Sequence, residues 1–258
     1  MRGVGQLLDA TVSEFVRHFV PMTTIGVLVA VPIQLLFFAI ERSSLGLAQQ
    51  GIALFLTLPV MIPAQLVVHA FAFAIVGGEL TGRPCTPLEA AALAIRKLPA
   101  LMLLMVVSMV LTVMTCGVGA ILTQWLLAPA VGLVVLEEVR IQDLARRTVQ
   151  LASGWGSFGR WVGMVVVISV VLGLLGPLEV ALEEPAVRGD VLARLPIGPE
   201  ALGWILLVLG AGLTALNFVV TGISMVVFYL DLCVRRAGLD LSRQLDQFES
   251  ERRVEGVV

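Results

Sequence analysis

Residues 202–230 read LGWILLVLGAGLTALNFVVTGISMVVFYL and contain no charged side chain. A helix of about 20 mostly apolar residues is long enough to cross a hydrocarbon core about 30 Å thick. Because this stretch is longer than that, it predicts a span that tilts in the bilayer or continues into water as the same helix. The stretch therefore predicts an integral membrane protein.

The composition of the whole chain points to the same class. Of its 258 residues, 58% are hydrophobic and 14% are charged, whereas a soluble domain carries about 25% charged residues. The net charge of −2 and the lack of a long basic run exclude nucleic acid as a partner. Cys85, Cys116 and Cys233 are odd in number and lack CxxC spacing, so no disulfide framework is expected.

Six stretches are apolar enough to be spans, and they cover residues 20–40, 52–76, 98–115, 118–136, 161–175 and 202–230. The basic residues lie unevenly around them. Three of the 17, Arg42, Arg188 and Arg194, fall on one side, and the rest fall in segments on the other side. By the positive-inside rule the richer side is the cytoplasm. The sequence therefore predicts an all-α, six-helix membrane bundle with both termini inside.

The basic segments predict amphipathic cytoplasmic helices, each leading into a pair of spans. The expected apolar stripes are Leu8, Val12, Phe15, Val16 and Phe19, then Leu88, Ala92 and Ile95, then Ile141, Leu144, Ala145, Thr148 and Leu151. Thr86 and Pro87 predict the start of the second helix. The pattern predicts three parallel repeats, at residues 4–76, 86–136 and 140–230, in a membrane domain of residues 1–241 with a charged tail at 242–258.

His69 is the only ionisable side chain deep within a predicted span. Such groups are functional candidates because burying them costs free energy. Gln65 lies one turn before His69, and Gln34 and Asn217 are polar residues in other spans. Together these four residues form a candidate polar notch in the bundle. The alternative is that neutral His69, like Gln34 or Asn217, hydrogen-bonds a neighbouring helix.

The segment FYLDLCVRRAGLDL at residues 228–241 predicts a helix leaving the membrane. Asp231 and Arg235 are spaced for an i,i+4 ion pair, and Gly238 suits the residue that ends a helix. Asp231, Arg235 and Arg236, with Arg146 and Arg147 of the third amphipathic helix, form a candidate cytoplasmic interface. The alternative is a simple anchor that follows the positive-inside rule.

Nothing in the sequence indicates catalysis. Residues 154–159 read GWGSFG and match G-x-G-x-x-G, but no strand precedes them and a span follows, so they predict a flexible elbow instead of a dinucleotide site. No phosphate loop, HExxH motif or Asp-rich metal cluster is present. We expect neither an enzyme nor a cofactor.

The segment at 228–241 resembles the end of the bacterial glycerophosphodiester phosphodiesterase membrane-domain family, whose members show an aromatic residue and then D-x-R-x-R-x-E-G-x-D. The matching residues are Tyr229, Asp231, Arg235, Gly238 and Asp240, and residues 138–154 are also similar, through Ala145, Arg147, Leu151 and Gly154. Cys233 and Ala237 replace an Arg and a Glu of the pattern. The resemblance implies a bacterial inner-membrane protein that corresponds to the membrane part alone, without the catalytic barrel.

The expected function is that of a non-catalytic module that anchors a cytoplasmic or membrane protein partner at its cytoplasmic face, amid membrane lipids. The alternative is a transporter or lipid-handling permease that uses the polar notch. Both expectations rest on where the charged and polar side chains fall along the chain.

Overall fold

A computed structural model describes residues 3–41, 46, 49, 52, 57–114, 118–173 and 198–255. The described elements are helical, and no strand occurs among them. They are α1 (Val4–Arg17), α2 (Phe19–Glu41), α3 (Leu58–Ala72), a π-helix (Phe73–Gly77), α4 (Gly78–Leu80), α5 (Pro87–Met114), α6 (Val118–Val135), α7 (Ile141–Ala152), α8 (Trp155–Gly173) and α9 (Pro199–Glu255).

Four helices are long and apolar enough to cross a membrane: Phe19–Ile40, Pro59–Leu80, Pro87–Val110 and Glu200–Ala237. A fifth is added if α7 and α8, which meet at 87°, count as one broken span. Within the described residues α6 contributes only the shorter apolar helix Trp125–Val135. The all-α class is therefore confirmed for the described residues, and their long apolar helices fit a membrane protein. The count of six spans is not reached in the part of the chain that the structure describes.

Helix α9 lies at the centre of the bundle, where it packs against α1, α2, α3, α6 and α8. Glycines permit the closest approaches. A Cβ on Gly26 of α2 would lie 2.8 Å from the Cγ2 of Val219, and one on Gly222 of α9 would lie 3.2 Å from the Cβ of Ala72. Such small residues let membrane helices come close enough for dense van der Waals packing.

The amphipathic helices face in directions that the sequence predicts only in part. On α7, Leu144 and Thr148 of the predicted stripe are buried. On α1, however, Val12 and Val16 are 62% and 67% exposed, and it is Leu7 that is buried. The physical reason is that the surface of a membrane protein faces lipid, so an apolar stripe does not have to face the core.

The apolar stripe is also exposed on α5, where Leu88 is 81% exposed and Ile95 63% exposed. The buried positions are instead the small residues Ala90 and Ala94. A side chain as small as alanine allows neighbouring helices to approach closely. In lipid the hydrophobic effect does not drive helices together, so the face with small residues becomes the packing face. The predicted stripe of Leu88, Ala92 and Ile95 therefore does not form the packing face of α5, which its alanines provide.

Two helices run further than the sequence indicates. The second amphipathic segment and the span after it are one helix, α5, which begins after a capping box between Thr86 and Glu89. Helix α9 continues through Gly238 to Glu255, so the prediction that Gly238 ends it is wrong. One glycine costs a helix about 1 kcal/mol, which is too little to end it.

The predicted elbow at residues 154–159 is a sharp bend between α7 and α8. Gly154 has a φ of +118°, a conformation that favours glycine. The hydroxyl of Ser157 donates to the carbonyl oxygens of Ala152 at 2.6 Å and of Gly154 at 2.8 Å. These bonds close the bend and fix where α8 begins. Residues 174–197, between α8 and α9, lie outside the described residues.

Candidate functional site

Charged side chains from α1, α4, α5, α7, α8, α9 and the turn after α6, together with His18 at the end of α1, form a series of polar contacts, which we call the charged layer. Its members are Glu14, Arg17, His18, Glu79, Arg96, Lys97, Glu137, Glu138, Arg147, Arg160, Asp231 and Arg235. The layer connects elements that are far apart in sequence.

Asp231 is the most buried carboxylate of the layer, with a side chain that is 5% exposed. The Nε of Arg235, one turn further along α9, donates to its Oδ2 at 2.7 Å. The Nη1 of Arg160, from α8, lies 3.4 Å from the same oxygen. The predicted i,i+4 pair is thus present, and it lies inside the bundle, where it also binds α8 to α9.

Tyr229 joins α9 to the turn after α6. Its hydroxyl donates to the Oε1 of Glu137 at 2.6 Å, and the other carboxylate oxygen of Glu137 lies 3.6 Å from the Nη1 of Arg147. The phenol ring packs against Phe73 with ring centroids 5.7 Å apart. Glu137 is a site residue that the sequence reasoning missed. The only available signal was its position directly after an apolar stretch.

The turn after α6 has an unusual backbone conformation at Glu138. Its φ is +53°, in the left-handed region that non-glycine residues seldom adopt. The carboxylate of Glu138 accepts hydrogen bonds from the Nζ of Lys97 at 3.1 Å and from the Nη2 of Arg96 at 3.4 Å. The hydrogen bond and charge of Lys97, aided by the guanidinium of Arg96, lower the pKa of Glu138.

One part of the charged layer surrounds the junction of α1 and α2. Arg17 is hydrogen-bonded to Glu79 of α4. The Nε2 of the buried His18 lies 3.4 Å from a carboxylate oxygen of Glu14 and 3.4 Å from one of Glu79. These contacts attach the first helix to the end of the third. No local pattern pairs His18 with Glu79, because 61 residues separate them.

The remaining residues of the candidate interface lie at the edge of this layer. Arg146 is exposed on the outer face of α7, and Arg147 is 54% exposed while its guanidinium lies near Glu137. Arg236 is half-buried on α9. The structure therefore brings Arg147 near the Asp231 region through Glu137 and Tyr229, and it leaves Arg146 facing away from the bundle.

His69 is 2% exposed at the crossing of α3 and α9. Neither ring nitrogen has a hydrogen-bond partner. Its Cδ2 would lie 3.3 Å from a Cβ placed on Gly222, so the imidazole packs closely against α9. The π-helix begins four residues later at Phe73, and such turns often occur at functional sites. The sequence contained no signal for the π-helix.

The other polar residues of the proposed notch are not gathered around His69. The amide of Gln34 donates to the Oγ1 of Thr214 at 2.9 Å. Thr214 and Gly222 are eight residues apart on α9, which places Gln34 about 12 Å along the helix from the level of His69. Asn217 is exposed and accepts from Thr221 at 3.3 Å, and Gln65 is half-buried one turn before His69.

Among the described residues, no group of three or more His, Cys, Asp or Glu side chains could hold a metal ion. Cys85 and Cys233 are free thiols, and Cys116 lies outside the described residues. Comparison with protein-family models, with curated proteins and with solved structures finds no match. The resemblance to the glycerophosphodiester phosphodiesterase membrane-domain family therefore stays a prediction.

Proposed function

We propose that this protein is a non-catalytic membrane module that docks a protein partner at its cytoplasmic face, through the outer side of α7. The observation that supports this most directly is the division of α7 into two faces. Leu144 and Thr148 are buried against the bundle, whereas Asp143, Arg146 and Arg147 are exposed. A helix fixed on one side and basic on the other suits a partner with an acidic surface.

The charged layer supports the proposal because it holds α7 in place. Arg147 lies near Glu137, which accepts from Tyr229 of α9, while the elbow bonds of Ser157 fix the start of α8. A rigid platform favours docking because less conformational entropy is lost on binding. We also propose that the protein lies in a bacterial inner membrane, that it has six spans in three repeats, and that both termini lie on the side of the charged layer.

In-cell photocrosslinking tests the docking face. A photoreactive residue at Gln142, Arg146 or Gln150 should yield one protein adduct of constant mass, whereas the exposed apolar position Val107 of α5 should yield lipid adducts. Replacing Arg146 by Glu, with the probe at Gln150, should reduce the protein adduct about tenfold, since a like charge then faces the acidic partner. Lipid adducts alone from α7 would contradict the proposal.

A lipid-handling permease is the second candidate, and the unpartnered His69 favours it. A buried imidazole with both nitrogens unbonded costs free energy, about 1–3 kcal/mol for each group. Such a cost is expected where a second conformation or a substrate supplies the missing partners. Translocation of a fluorescent phospholipid in proteoliposomes, lost in His69→Ala and kept in Gln34→Ala, would establish this candidate. Absence of translocation by the wild-type protein would eliminate it.

A further inference from the structure

Helix α1 is attached to the bundle at both of its ends. At its first residue, Val4 lies close to α8, since a Cβ added to Gly163 would be 3.1 Å from the Cγ2 of Val4. At its last residue, Arg17 is hydrogen-bonded to Glu79 of α4. Glu79 belongs to the charged layer, and Gly163 is less than one helical turn from Arg160 of that layer. Helix α1 therefore runs along the charged layer, and it packs against α9 on the way.

The side chains of α1 divide into three faces around the helix axis. The bundle face is buried and contains Leu7 and Thr11. The apolar face is exposed and contains Val12 and Val16. The polar face is also exposed and contains Gln6, Asp9, Ser13 and Arg17. At about 100° per residue the two exposed faces lie side by side, opposite the bundle face. The half-buried Leu8 and Phe15 lie between the apolar face and the bundle face.

The apolar face of α1 continues onto the exposed side of α2. The ring of Phe15 packs edge-on against that of Phe19, the first residue of α2, with centroids 5.5 Å apart. Phe19 and Val20 are exposed, as is Leu28 two turns further along the same helix. Helix α2 is long and apolar enough to cross a membrane, so its exposed apolar side chains suit contact with acyl chains. The surface that faces lipid on α2 therefore extends onto α1.

We propose that α1 lies in the surface of the bilayer on the side of the charged layer, with its apolar face among the acyl chains of that leaflet. Helices of this kind bury an apolar face at the boundary of head groups and acyl chains and keep a polar face in water. Each face of α1 then meets the medium that suits it: protein, lipid or water. Because Val4 and Arg17 attach both ends to other helices, the bundle fixes which side of α1 turns toward lipid. This surface is separate from the proposed docking face on α7.

Spin labels on the full chain in phosphatidylcholine nanodiscs test this orientation. Single cysteines replace Val12, Val16, Gln6 or Ser13 in a chain without its native cysteines, and all four positions are exposed, so a label fits at each. Power saturation with oxygen and with an aqueous nickel chelate measures the depth of each label. Labels at Val12 and Val16 should lie about 5–10 Å below the lipid phosphates. Labels at Gln6 and Ser13 are the matched controls on the same helix, and they should be accessible to the chelate.

A pair of charged variants tests whether lipid holds the apolar face. Val16→Asp places a carboxylate among the acyl chains, so a label at Val12 should move toward the aqueous phase. Ser13→Asp adds the same charge to the polar face and should leave the depth of that label unchanged. If Val16→Asp does not fold, the comparison of labels at Val12 and Ser13 carries the test.

Three results would overturn the proposal. The first is equal access of the chelate to labels at Val12 and Ser13, which would place the apolar face in water. The second is shielding of Val12 and Val16 from both oxygen and the chelate, which would show that a protein or a second copy of this chain covers the face. The third is an unchanged depth of the Val12 label in Val16→Asp.

Discussion

Gly132 on α6 lies directly against the ring of Tyr229. A Cβ at this position would approach the ring carbons Cδ2, Cγ and Cε2 to within 2.6–2.7 Å. Gly132→Ala should therefore displace the ring and lengthen the bond to Glu137, with a loss of about 1–3 kcal/mol in the free energy of unfolding. Denaturant unfolding in detergent measures the loss.

Gly212→Ala is the matched control for this prediction. Gly212 is also a helical glycine, but it is exposed, and an added Cβ would meet no atom within 4 Å. Alanine there should leave stability unchanged or raise it by up to about 1 kcal/mol through helix propensity. Equal destabilisation by the two variants would contradict the close contact between Gly132 and Tyr229.

Cys85 should react slowly with alkylating reagents. Burial, followed by the charge of Glu89, raises the pKa of its thiol, and its Sγ lies 3.3 Å from the carbonyl oxygen of Ala74 as a hydrogen-bond donor. Since the thiolate is the reactive form, its modification should still accelerate at a pH where an ordinary thiol has reached its plateau. Mass spectrometry of the Cys85 peptide after iodoacetamide pulses measures this rate, and Glu89→Gln should increase it.

At the residue scale, local spacing could be read from the sequence and distant pairing could not. The cap at Thr86 and the ion pair of Asp231 with Arg235 involve residues three or four positions apart, and both are present. The bond between Tyr229 and Glu137 joins residues 92 positions apart. Its existence depends on how α6 and α9 pack, which no local pattern of residues specifies.

At the scale of the element, the turn after α6 predicts a pH dependence of stability. The folded state lowers the pKa of Glu138 through Lys97. The resulting stabilisation is fully present above the unfolded pKa and is lost as the pH falls through the folded value. The difference in stability between the wild type and Glu138→Gln should therefore be present at neutral pH and vanish in acid. Thermal unfolding in detergent from pH 7 to pH 3 would measure it, and a constant difference would contradict the role of the charge.

Helix existence was predictable, and helix orientation was less so. Each described stretch with an apolar run is a helix, because backbone groups in lipid must bond within their own segment. The apolar stripes did not indicate which face of α1 and α5 packs, since Val12 and Leu88 are exposed while Ala90 and Ala94 are buried. The π-helix at Phe73–Gly77 depends on packing against α9 and leaves no trace in hydropathy.

At the scale of the whole molecule, the proposed topology predicts that the charged layer faces one compartment. Single cysteines at Gln142 and Ser153, in a chain without its native cysteines, should react with an impermeant maleimide only after the cells are permeabilised. A cysteine at Arg42, which the charge pattern places outside, should react in intact cells. Labelling of all three in intact cells would refute the proposed orientation.

Hydropathy alone did not determine the number of spans. It measures how long an apolar stretch is, and a helix can contain such a stretch without crossing the bilayer. The described part of the stretch at 161–175 lies on α8, which meets α7 at 87°, and that pair counts as a span only if the bend is allowed within it. The stretch at 118–136 lies on α6, whose described apolar part is Trp125–Val135. Only the surrounding bilayer decides whether such short helices cross it or end within it.

The central place of α9 has a consequence for biogenesis. The ribosome synthesises α9 after α2, α3, α6 and α8. Side chains of those helices and of the turn after α6 nevertheless find their partners on α9. The pairs are Gln34 with Thr214, His69 with Gly222, Glu137 with Tyr229 and Arg160 with Asp231. The polar groups of the helices inserted earlier therefore lack these partners until α9 is inserted. We expect a nascent chain stopped at Gly198 to be a substrate for insertase chaperones and quality-control proteases, and a pulse-chase comparison with the full chain would measure its shorter lifetime.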